Sequence, residues 1–314
     1  MKQLNAIYRK RWQENRFYLE EKGLRAFPLH EDRKIPRRDP MAILFRIFAW
    51  ALRLTPFYKW GLKNAQKISP IENRLTSSKI GKGSIRILHL SDLHLDECPV
   101  SQEDILWAIK ESGPYDFACI TGDLSTGWPI DEITKNKVRE IIKALKPKYK
   151  TFFILGNHDS GHIVPYLENQ GVEVLTNQIA TFPKDGILPC PIEFVGTDDP
   201  HYFYQKDALR ILQEGKRESF RVGLIHTPEL YKEAQQSGID LYLCGHTHGG
   251  QIALPGGIPV IRRVYRGKRF AKGPWRYSGM LGYTSSGVGT SSMPIRFFTK
   301  AEVIVHEVVP RGEG

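Results

Sequence analysis

Five apolar stretches of this chain, each with the length and composition of a buried β-strand, end in short clusters of Asp, Asn and His. The clusters are Asp92-Leu93-His94, Gly122-Asp123, Gly156-Asn157-His158-Asp159, His226 and Gly245-His246-Thr247-His248. In open α/β sheets, ligands bind in the crevice outside the carboxyl ends of the strands. We therefore predict an α/β fold in which the five clusters converge on one polar site.

The residue types in these clusters indicate that the site binds metal. Neutral imidazole and carboxylate oxygen suit zinc, manganese or iron. A single histidine at a strand end is more often a hydrogen-bonded structural residue, so the prediction depends on the five clusters occurring together. His246 and His248 follow the apolar residues 239–244 and are two positions apart, a spacing at which both side chains leave a strand on the same side.

In chain order the clusters read DxH, GD, GNHD, H and GHxH, and with these motifs the sequence resembles the calcineurin-like metallophosphoesterases over roughly residues 85–307. The resemblance implies two mixed β-sheets packed face to face and flanked by helices, and hydrolysis of a phosphoester or pyrophosphate. It implies two divalent metal ions, with Mn²⁺ expected and Zn²⁺ or Fe as alternatives. The implied ligands are Asp92, His94 and His248 for one ion, Asn157, His226 and His246 for the other, and Asp123 as a bridge between them.

The resemblance also implies catalytic roles. His158 is not a ligand in that family, and it would act on the substrate as a proton donor or charge stabiliser. Asp159 is expected to orient His158, because the two residues are adjacent. Two divalent cations about 3.5–4 Å apart can activate water and hold phosphate oxygens for in-line attack, so no covalent nucleophile of the protein is required.

A basic loop follows the histidine pair. Residues 251–301 contain nine Lys or Arg and no Asp or Glu. Guanidinium groups bind phosphate through two parallel hydrogen bonds, so we expect a clamp for a second phosphate or a nucleotide, with a solvated loop as the alternative. The predicted substrate-binding residues are Arg262, Arg263, Arg266, Lys268 and Arg269.

Two further segments indicate the class of substrate. The sequence GHTHGGQ at 245–251 and SGVGTS at 286–291 resemble the bacterial branch of the family that contains the UDP-2,3-diacylglucosamine pyrophosphatase of lipid A synthesis. This implies cleavage of a nucleotide-linked lipid to UMP and 2,3-diacylglucosamine 1-phosphate. A general phosphodiesterase or a nuclease, with nucleic acid held by the basic N-terminal residues, is the alternative. A non-catalytic scaffold is disfavoured, because every ligand position of the family is filled.

Positive charge is concentrated before residue 84. Residues 1–83 hold 19 Lys or Arg and 7 Asp or Glu, whereas the remainder holds 26 and 27, so the chain's net charge of +11 belongs to its first segment. We predict a basic, amphipathic helical extension over residues 1–83, with a polar linker at 66–83, and a catalytic domain over residues 84–314. Residues 1–63 are expected to contact an anionic membrane, which would place the enzyme in the cytoplasm on the inner face of the inner membrane.

Residues 41–54 are the most apolar stretch of that extension. A helix of about 15 residues spans about 22 Å, which is short of the roughly 30 Å hydrocarbon core, so we expect an interfacial helix rather than a spanning one. Packing on the catalytic domain and a cleaved signal peptide are the alternatives. The four cysteines have no metal-binding spacing, which is typical of reduced, structural thiols in the cytoplasm.

Overall fold

The computed structural model describes residues 2–27, 30–36, 51–183 and 188–312. Its helices, numbered in chain order, are α1 Lys2–Glu21, α2 Pro56–Ala65, α3 Gln102–Glu111, α4 Glu132–Ala144, α5 Val164–Asn169, α6 Lys206–Gln213 and α7 Tyr231–Gln236. Strands β1 to β8 are Leu24–Phe27, His30–Pro36, Ile68–Ser77, Ile85–Leu90, Phe117–Ile120, Lys150–Phe153, Glu173–Val174 and Gln178–Phe182. Strands β9 to β16 are Ile192–Gly196, Phe220–Leu224, Leu241–Cys244, Ala253–Leu254, Ile258–Pro259, Gly273–Tyr277, Met280–Thr284 and Ala301–Pro310.

Two six-stranded sheets carry the fold. The first has the order β3-β16-β4-β5-β6-β7, and the second has the order β14-β15-β11-β10-β9-β8. In the first sheet, β4, β5, β6 and β7 are parallel, and β16 runs antiparallel to β4. In the second sheet, β9, β10, β11 and β15 are parallel, and the two edge strands β8 and β14 are antiparallel to their neighbours. Both sheets are therefore mixed, which confirms the predicted fold class.

Apolar side chains from both sheets meet in one core. The Phe194 ring of β9 lies 4.7 Å from the Phe117 ring of β5 and 4.5 Å from the Phe152 ring of β6, measured between centroids. Helices cover the outer faces: α3, α4 and α5 pack on the first sheet, and α6 and α7 pack on the second. Burial on both faces explains why these parallel strands are continuous apolar runs in the sequence.

Helices α3 and α4 each begin after a capping residue. Ser101 and Asp131 are their N-caps, and each side chain accepts a hydrogen bond from the main-chain N–H three residues later. Such caps satisfy one of the otherwise unpaired donors in the first helical turn. All four cysteines are free thiols, and Cys119, Cys190 and Cys244 are buried.

The predicted linker at 66–83 is wrong, because most of it is strand β3. This strand pairs with β16 over ten consecutive residues in parallel register. It forms the edge of its sheet, and only Ile68 and Leu75 within it are buried. Since an edge strand can be held by main-chain hydrogen bonds with few buried side chains, its composition resembles that of a loop.

Helix α1 confirms the helix expected near the N-terminus, and it packs on the catalytic domain through the buried side chains of Trp12, Arg16 and Leu19. The predicted apolar helix at 41–54 lies outside the described residues except for 51–54. No helix in the described segments combines the length and the apolar composition that a membrane crossing needs.

Candidate metal centre

The structure brings the strand-end clusters together at the carboxyl ends of five strands. Strands β4, β5 and β6 of the first sheet lead into Asp92 and His94, Asp123, and Asn157, respectively. Strands β10 and β11 of the second sheet lead into His226 and into His246 and His248. The site is therefore built by both sheets, at the end where their parallel strands terminate.

The side chains divide into two groups that can each hold a metal ion. Asp92, His94 and His248 place ligand atoms within 4.8 Å of one another, and so do Asp123, His226 and His246. Asn157 joins the second group, since its Oδ1 lies 2.7 Å from His246 Nδ1 and 3.1 Å from His226 Nε2. These groups are the ligand sets that the family resemblance implies for two ions.

Asp123 faces both groups. Its Oδ2 lies 3.3 Å from His226 Nε2 in one group and 3.8 Å from His94 Nε2 in the other. Its Oδ1 accepts a hydrogen bond of 2.8 Å from the main-chain N–H of His158. A carboxylate in this position can bind an ion on either side, as expected for a bridging ligand.

Main-chain carbonyls orient three of the imidazoles. Nδ1 of His226 lies 2.6 Å from the Thr121 oxygen, and Nδ1 of His248 lies 3.3 Å from the Gly289 oxygen. Nε2 of His246 lies 3.0 Å from the oxygen of Arg263. Because a carbonyl oxygen can only accept, these nitrogens carry the hydrogen, and the opposite nitrogen of each ring presents its lone pair to the site.

The electrostatics of the site favour a bound cation. Burial, together with the nearby charge of Asp123, raises the pKa of Asp92 to about 6 against the opposing charge of His226. Burial lowers the pKa of His226, but the negative charges of Asp123 and Asp92 outweigh this effect and raise it well above its usual value. In the described residues both ring nitrogens of His94 are buried without a hydrogen-bond partner. A buried imidazole in this state beside two carboxylates fits a metal ligand.

The main chain is strained at the same residues. Five of the implied ligands have positive φ: Asp92 (50°), His94 (43°), Asp123 (57°), His246 (69°) and His248 (51°). Such angles are uncommon outside glycine, and they persist only where the surrounding structure imposes them. Glycines provide the room, because a Cβ at position 156 would overlap Asp123 Oδ1 and one at 245 would overlap the side chains of Ser91 and Asp92.

His158 lies beside the two groups. Its ring centroid is 5.1 Å from that of His94, and its Nδ1 donates to the Thr126 oxygen at 2.8 Å. Its Nε2 is thereby directed away from the Thr126 carbonyl. The orienting contact thus comes from Thr126.

Asp159 has a different role from the predicted one. Its carboxylate accepts hydrogen bonds from the main-chain N–H groups of Asp123 (2.7 Å), Leu124 (2.9 Å) and Gly156 (2.8 Å). These contacts fasten the loop after β5 to the loop after β6. Asp159 therefore fixes the backbone that carries Asp123 and Asn157, and the prediction that it orients the His158 ring is wrong.

Comparison with known proteins agrees with this geometry. The profile of the calcineurin-like phosphoesterase family matches residues 85–250. The chain belongs to this family. The phosphoesterase is 29% identical over 248 residues to the metallophosphoesterase YkuE of Bacillus subtilis (76% of this chain, 84% of the relative) and 27% identical over 239 residues to YkoQ of the same organism (71% and 83%). It is 28% identical over 252 residues to the phosphodiesterase YaeI of Escherichia coli (76% and 87%). The protein is a metal-dependent phosphoester hydrolase.

The basic loop of the phosphoesterase makes several contacts within the protein. Arg266 forms an ion pair of 3.0 Å with Glu233, and Arg269 lies over the Phe270 ring. Arg262 donates to main-chain oxygens of its own loop. Lys268 is exposed, and so is Arg263, whose carbonyl contacts His246 directly. Of the five predicted substrate residues, Arg263 is the one that a contact ties to the metal centre.

A histidine outside the motifs also reaches the phosphoesterase site. The His201 ring lies 4.5 Å from the His246 ring and 4.8 Å from the Tyr265 ring, and its Nδ1 is 3.2 Å from both carboxylate oxygens of Glu229. Its position carries no signal in the sequence, because it follows no apolar strand directly and matches none of the five motifs.

Arg16 of α1 binds a loop that carries part of the metal centre. Its guanidinium is fully buried, forms a 2.6 Å ion pair with Asp198, and donates to the main-chain oxygens of Gly156 and Asp159. These oxygens belong to the loop that carries Asn157 and His158. The sequence suggests no such role, because Arg16 lies among basic residues that favour a membrane contact.

Glu20, one helical turn later, holds the next part of that loop. Its carboxylate accepts hydrogen bonds from Ser160 Oγ at 2.7 Å and from the main-chain N–H of Gly161 at 3.0 Å, and it also pairs with Arg16. Trp12 Nε1 donates to Asp198 at 2.7 Å from the preceding turn. Arg16 and Glu20 therefore hold the loop at 156–161 directly, and Trp12 holds Asp198, the carboxylate that pairs with Arg16.

Proposed function

We propose that this phosphoesterase hydrolyses a phosphodiester or pyrophosphate bond at a centre of two divalent cations. Asp92, His94 and His248 would hold one ion, Asn157, His226 and His246 the other, and Asp123 would contact both. The observation that carries the proposal is the position of Asp123 between two complete ligand groups. When bound, the two cations lower the pKa of water and neutralise the charge of the phosphate oxygens.

The residues around the centre supply orientation and a proton. Carbonyl acceptors bind one ring nitrogen each of His226, His246 and His248, so the other nitrogen of each ring would be the one that binds an ion. His158 donates through Nδ1 to Thr126, so the imidazolium form would carry its second proton on Nε2 and could pass that proton to the oxygen of the leaving group, which leaves a neutral ring still bonded to Thr126. Its main-chain N–H binds Asp123, which ties the proton donor to the bridging ligand.

We further propose that the substrate is a nucleotide-linked lipid such as UDP-2,3-diacylglucosamine. The Arg263 carbonyl binds His246, so the loop that carries the nine basic residues of 251–301 runs beside the centre, and guanidinium groups suit the binding of a second phosphate. Similarity to the protein named phosphodiesterase YaeI supports a substrate whose phosphate is esterified to two groups. The proposed location is the cytoplasmic face of a membrane, and Mn²⁺ is the proposed ion.

The proposed membrane contact falls on the part of the extension that follows α1. Arg9 and Arg16 of α1 pair with Glu168 and Asp198 of the catalytic domain, so these charges are neutralised within the protein. Helix α2 has exposed Lys59 and Lys63 and no acidic residue. We therefore place the contact with anionic lipid at α2 and the residues next to it.

A substrate screen with Mn²⁺ tests the proposal. We expect release of UMP from UDP-2,3-diacylglucosamine in mixed micelles and slower hydrolysis of bis(p-nitrophenyl) phosphate. Single-stranded and duplex DNA should remain intact. The Asp123→Asn variant, purified in parallel, controls for contaminating hydrolases. Degradation of DNA at a higher kcat/KM than the lipid would contradict the proposed substrate, while no hydrolysis of any phosphodiester or pyrophosphate would contradict the proposed reaction.

A further inference from the structure

Seven of the thirteen large hydrophobic side chains exposed in the described residues belong to one contiguous region, which we call the apolar face. They are Leu54, Phe57, Trp60, Leu254, Ile258, Val260 and Phe298. Isolated exposed hydrophobic residues are ordinary, but a contiguous group of this kind marks an interaction surface.

Direct contacts join the parts of the apolar face. The Trp60 ring of α2 lies 5.0 Å from the Phe297 ring and 5.6 Å from the Phe298 ring. Phe297 in turn accepts a main-chain hydrogen bond of 3.0 Å from Ala253, the first residue of the β12–β13 hairpin. Within that hairpin, Leu254 is directly opposite Ile258. Helix α2, the segment at 297–298 and the hairpin therefore form one continuous surface.

This surface adjoins the metal centre. The hairpin begins five residues after His248, and the loop that follows it returns to the centre, where the Arg263 carbonyl binds His246. The main-chain N–H of Phe297 donates to Gln251, which follows the histidine motif. A binding partner that covers the apolar face would therefore lie next to the metal centre.

The two segments that carry the apolar face contain basic residues and no acidic ones. Residues 51–65 carry three Lys or Arg and residues 251–301 carry nine, and neither segment contains Asp or Glu. The other residues from 84 onward carry 17 basic and 27 acidic side chains. Aromatic and aliphatic side chains beside exposed basic groups such as Lys59 and Lys63 match the interface of an anionic bilayer, where rings enter the headgroup region and cations meet lipid phosphates.

We infer that the apolar face docks on an anionic phospholipid bilayer. Docking places the metal centre at the bilayer surface, where a lipid-borne phosphoester is presented to it. Docking extends the lipid contact proposed at α2 to the hairpin and to residues 297–298, and the presentation of substrate rests on the proposed function. Each basic residue near an anionic bilayer surface raises the affinity for the bilayer about fivefold. Binding should therefore depend on the fraction of anionic lipid and on the salt concentration.

Flotation of the full chain with vesicles tests the docking. We expect binding to vesicles of phosphatidylcholine with 30% phosphatidylglycerol and much weaker binding to phosphatidylcholine alone. The variant Phe57→Ser/Leu254→Ser/Ile258→Ser should lose at least tenfold in partitioning. These side chains are 62%, 54% and 54% exposed, so folding should be preserved. The matched control is Trp107→Ser/Ile133→Ser, whose side chains are 48% and 68% exposed on α3 and α4, and it should bind like the wild type.

A charge variant and two assays complete the test. Lys59→Gln/Lys63→Gln should reduce vesicle binding by about 25-fold and leave hydrolysis of bis(p-nitrophenyl) phosphate unchanged. Equal flotation of the serine triple variant and the wild type would overturn the inference. A wild type that does not bind vesicles, and that light scattering shows as a dimer which the triple variant does not form, would overturn it too. Vesicle binding without hydrolysis of any lipid phosphoester would support docking and contradict the proposed lipid substrate.

Discussion

Arg16 Nη1 lies 2.6 Å from Asp198 Oδ1, although 182 residues separate them in the sequence, and both side chains are buried. The same guanidinium binds the carbonyls of Gly156 and Asp159. The N-terminal helix is thus attached to the loop that carries Asn157 and His158. Because four partners, Glu20 included, share one planar group, the contact fixes orientation as well as distance.

We expect Arg16→Lys to fold but to lower kcat about tenfold or more, with a smaller change in KM. Lysine retains the charge that Asp198 needs but lacks the planar fork, so the loop at 156–161 loses its fixed position, and small misplacements of reacting groups are costly. The matched control is Arg9→Lys, which alters the ion pair with Glu168 on the same helix. Steady-state kinetics and thermal melting check both variants. Wild-type kcat in Arg16→Lys would show that the contact only stabilises the fold.

Asp123→Asn should abolish activity more completely than the same change at Asp92. The Asp123 carboxylate faces both ligand groups, whereas Asp92 belongs to one of them. Turnover and bound metal per protein, measured by mass spectrometry of the purified variants, test the comparison. Two bound ions together with most of the wild-type turnover in Asp123→Asn would refute the bridging role.

His158→Ala should retain both metal ions and lose about 10²–10⁴ in turnover, the usual range for a general acid. The loss should be smaller for p-nitrophenyl esters, whose leaving group needs no proton. His162→Ala, four residues later and exposed, is the control for changes in the loop. If the His158 variant is purified with one ion fewer, the residue is a ligand.

Acid should destabilise the protein partly through two core histidines. Burial lowers the pKa of His89 to about 3 and places that of His306 well below its usual value. Below pH 6.5 the unfolded chain therefore binds protons that the folded protein does not, so the free energy of unfolding falls as pH falls, by at most about 1.4 kcal/mol per pH unit for each histidine.

The variant His306→Gln isolates this effect. Its amide can keep the hydrogen bonds to Asn73 and His89 but cannot titrate. Urea denaturation from pH 7 to pH 5 in saturating Mn²⁺ should give a shallower pH dependence than in the wild type. His162→Gln, an exposed histidine, should follow the wild type. Parallel curves for wild type and His306→Gln would contradict the prediction.

The metal centre was predictable from sequence because two local patterns determine it. Apolar runs identify parallel strands, and parallel strands end at one edge, so the residues that follow them meet. Main-chain acceptors such as Thr121 and Gly289 were not predictable, because any residue can supply a carbonyl. The role of Arg16 depends on a contact across 182 residues, and strand β3 lacks the alternation of a half-buried strand. Contacts of these kinds leave no local pattern in the sequence.

Strand β16 lies between β3 and β4, and its His306 is opposite Ile87 of β4. All the implied metal ligands precede β16 in the chain. During synthesis on the ribosome, the nascent chain therefore contains every ligand before the strand that joins β3 to β4 has emerged. Until then the facing edges of β3 and β4 are unpaired, and unpaired edges recruit other chains. A stop codon near residue 300 would thus yield a polypeptide with its full set of histidines and aspartates, prone to aggregation and without a finished sheet to hold them.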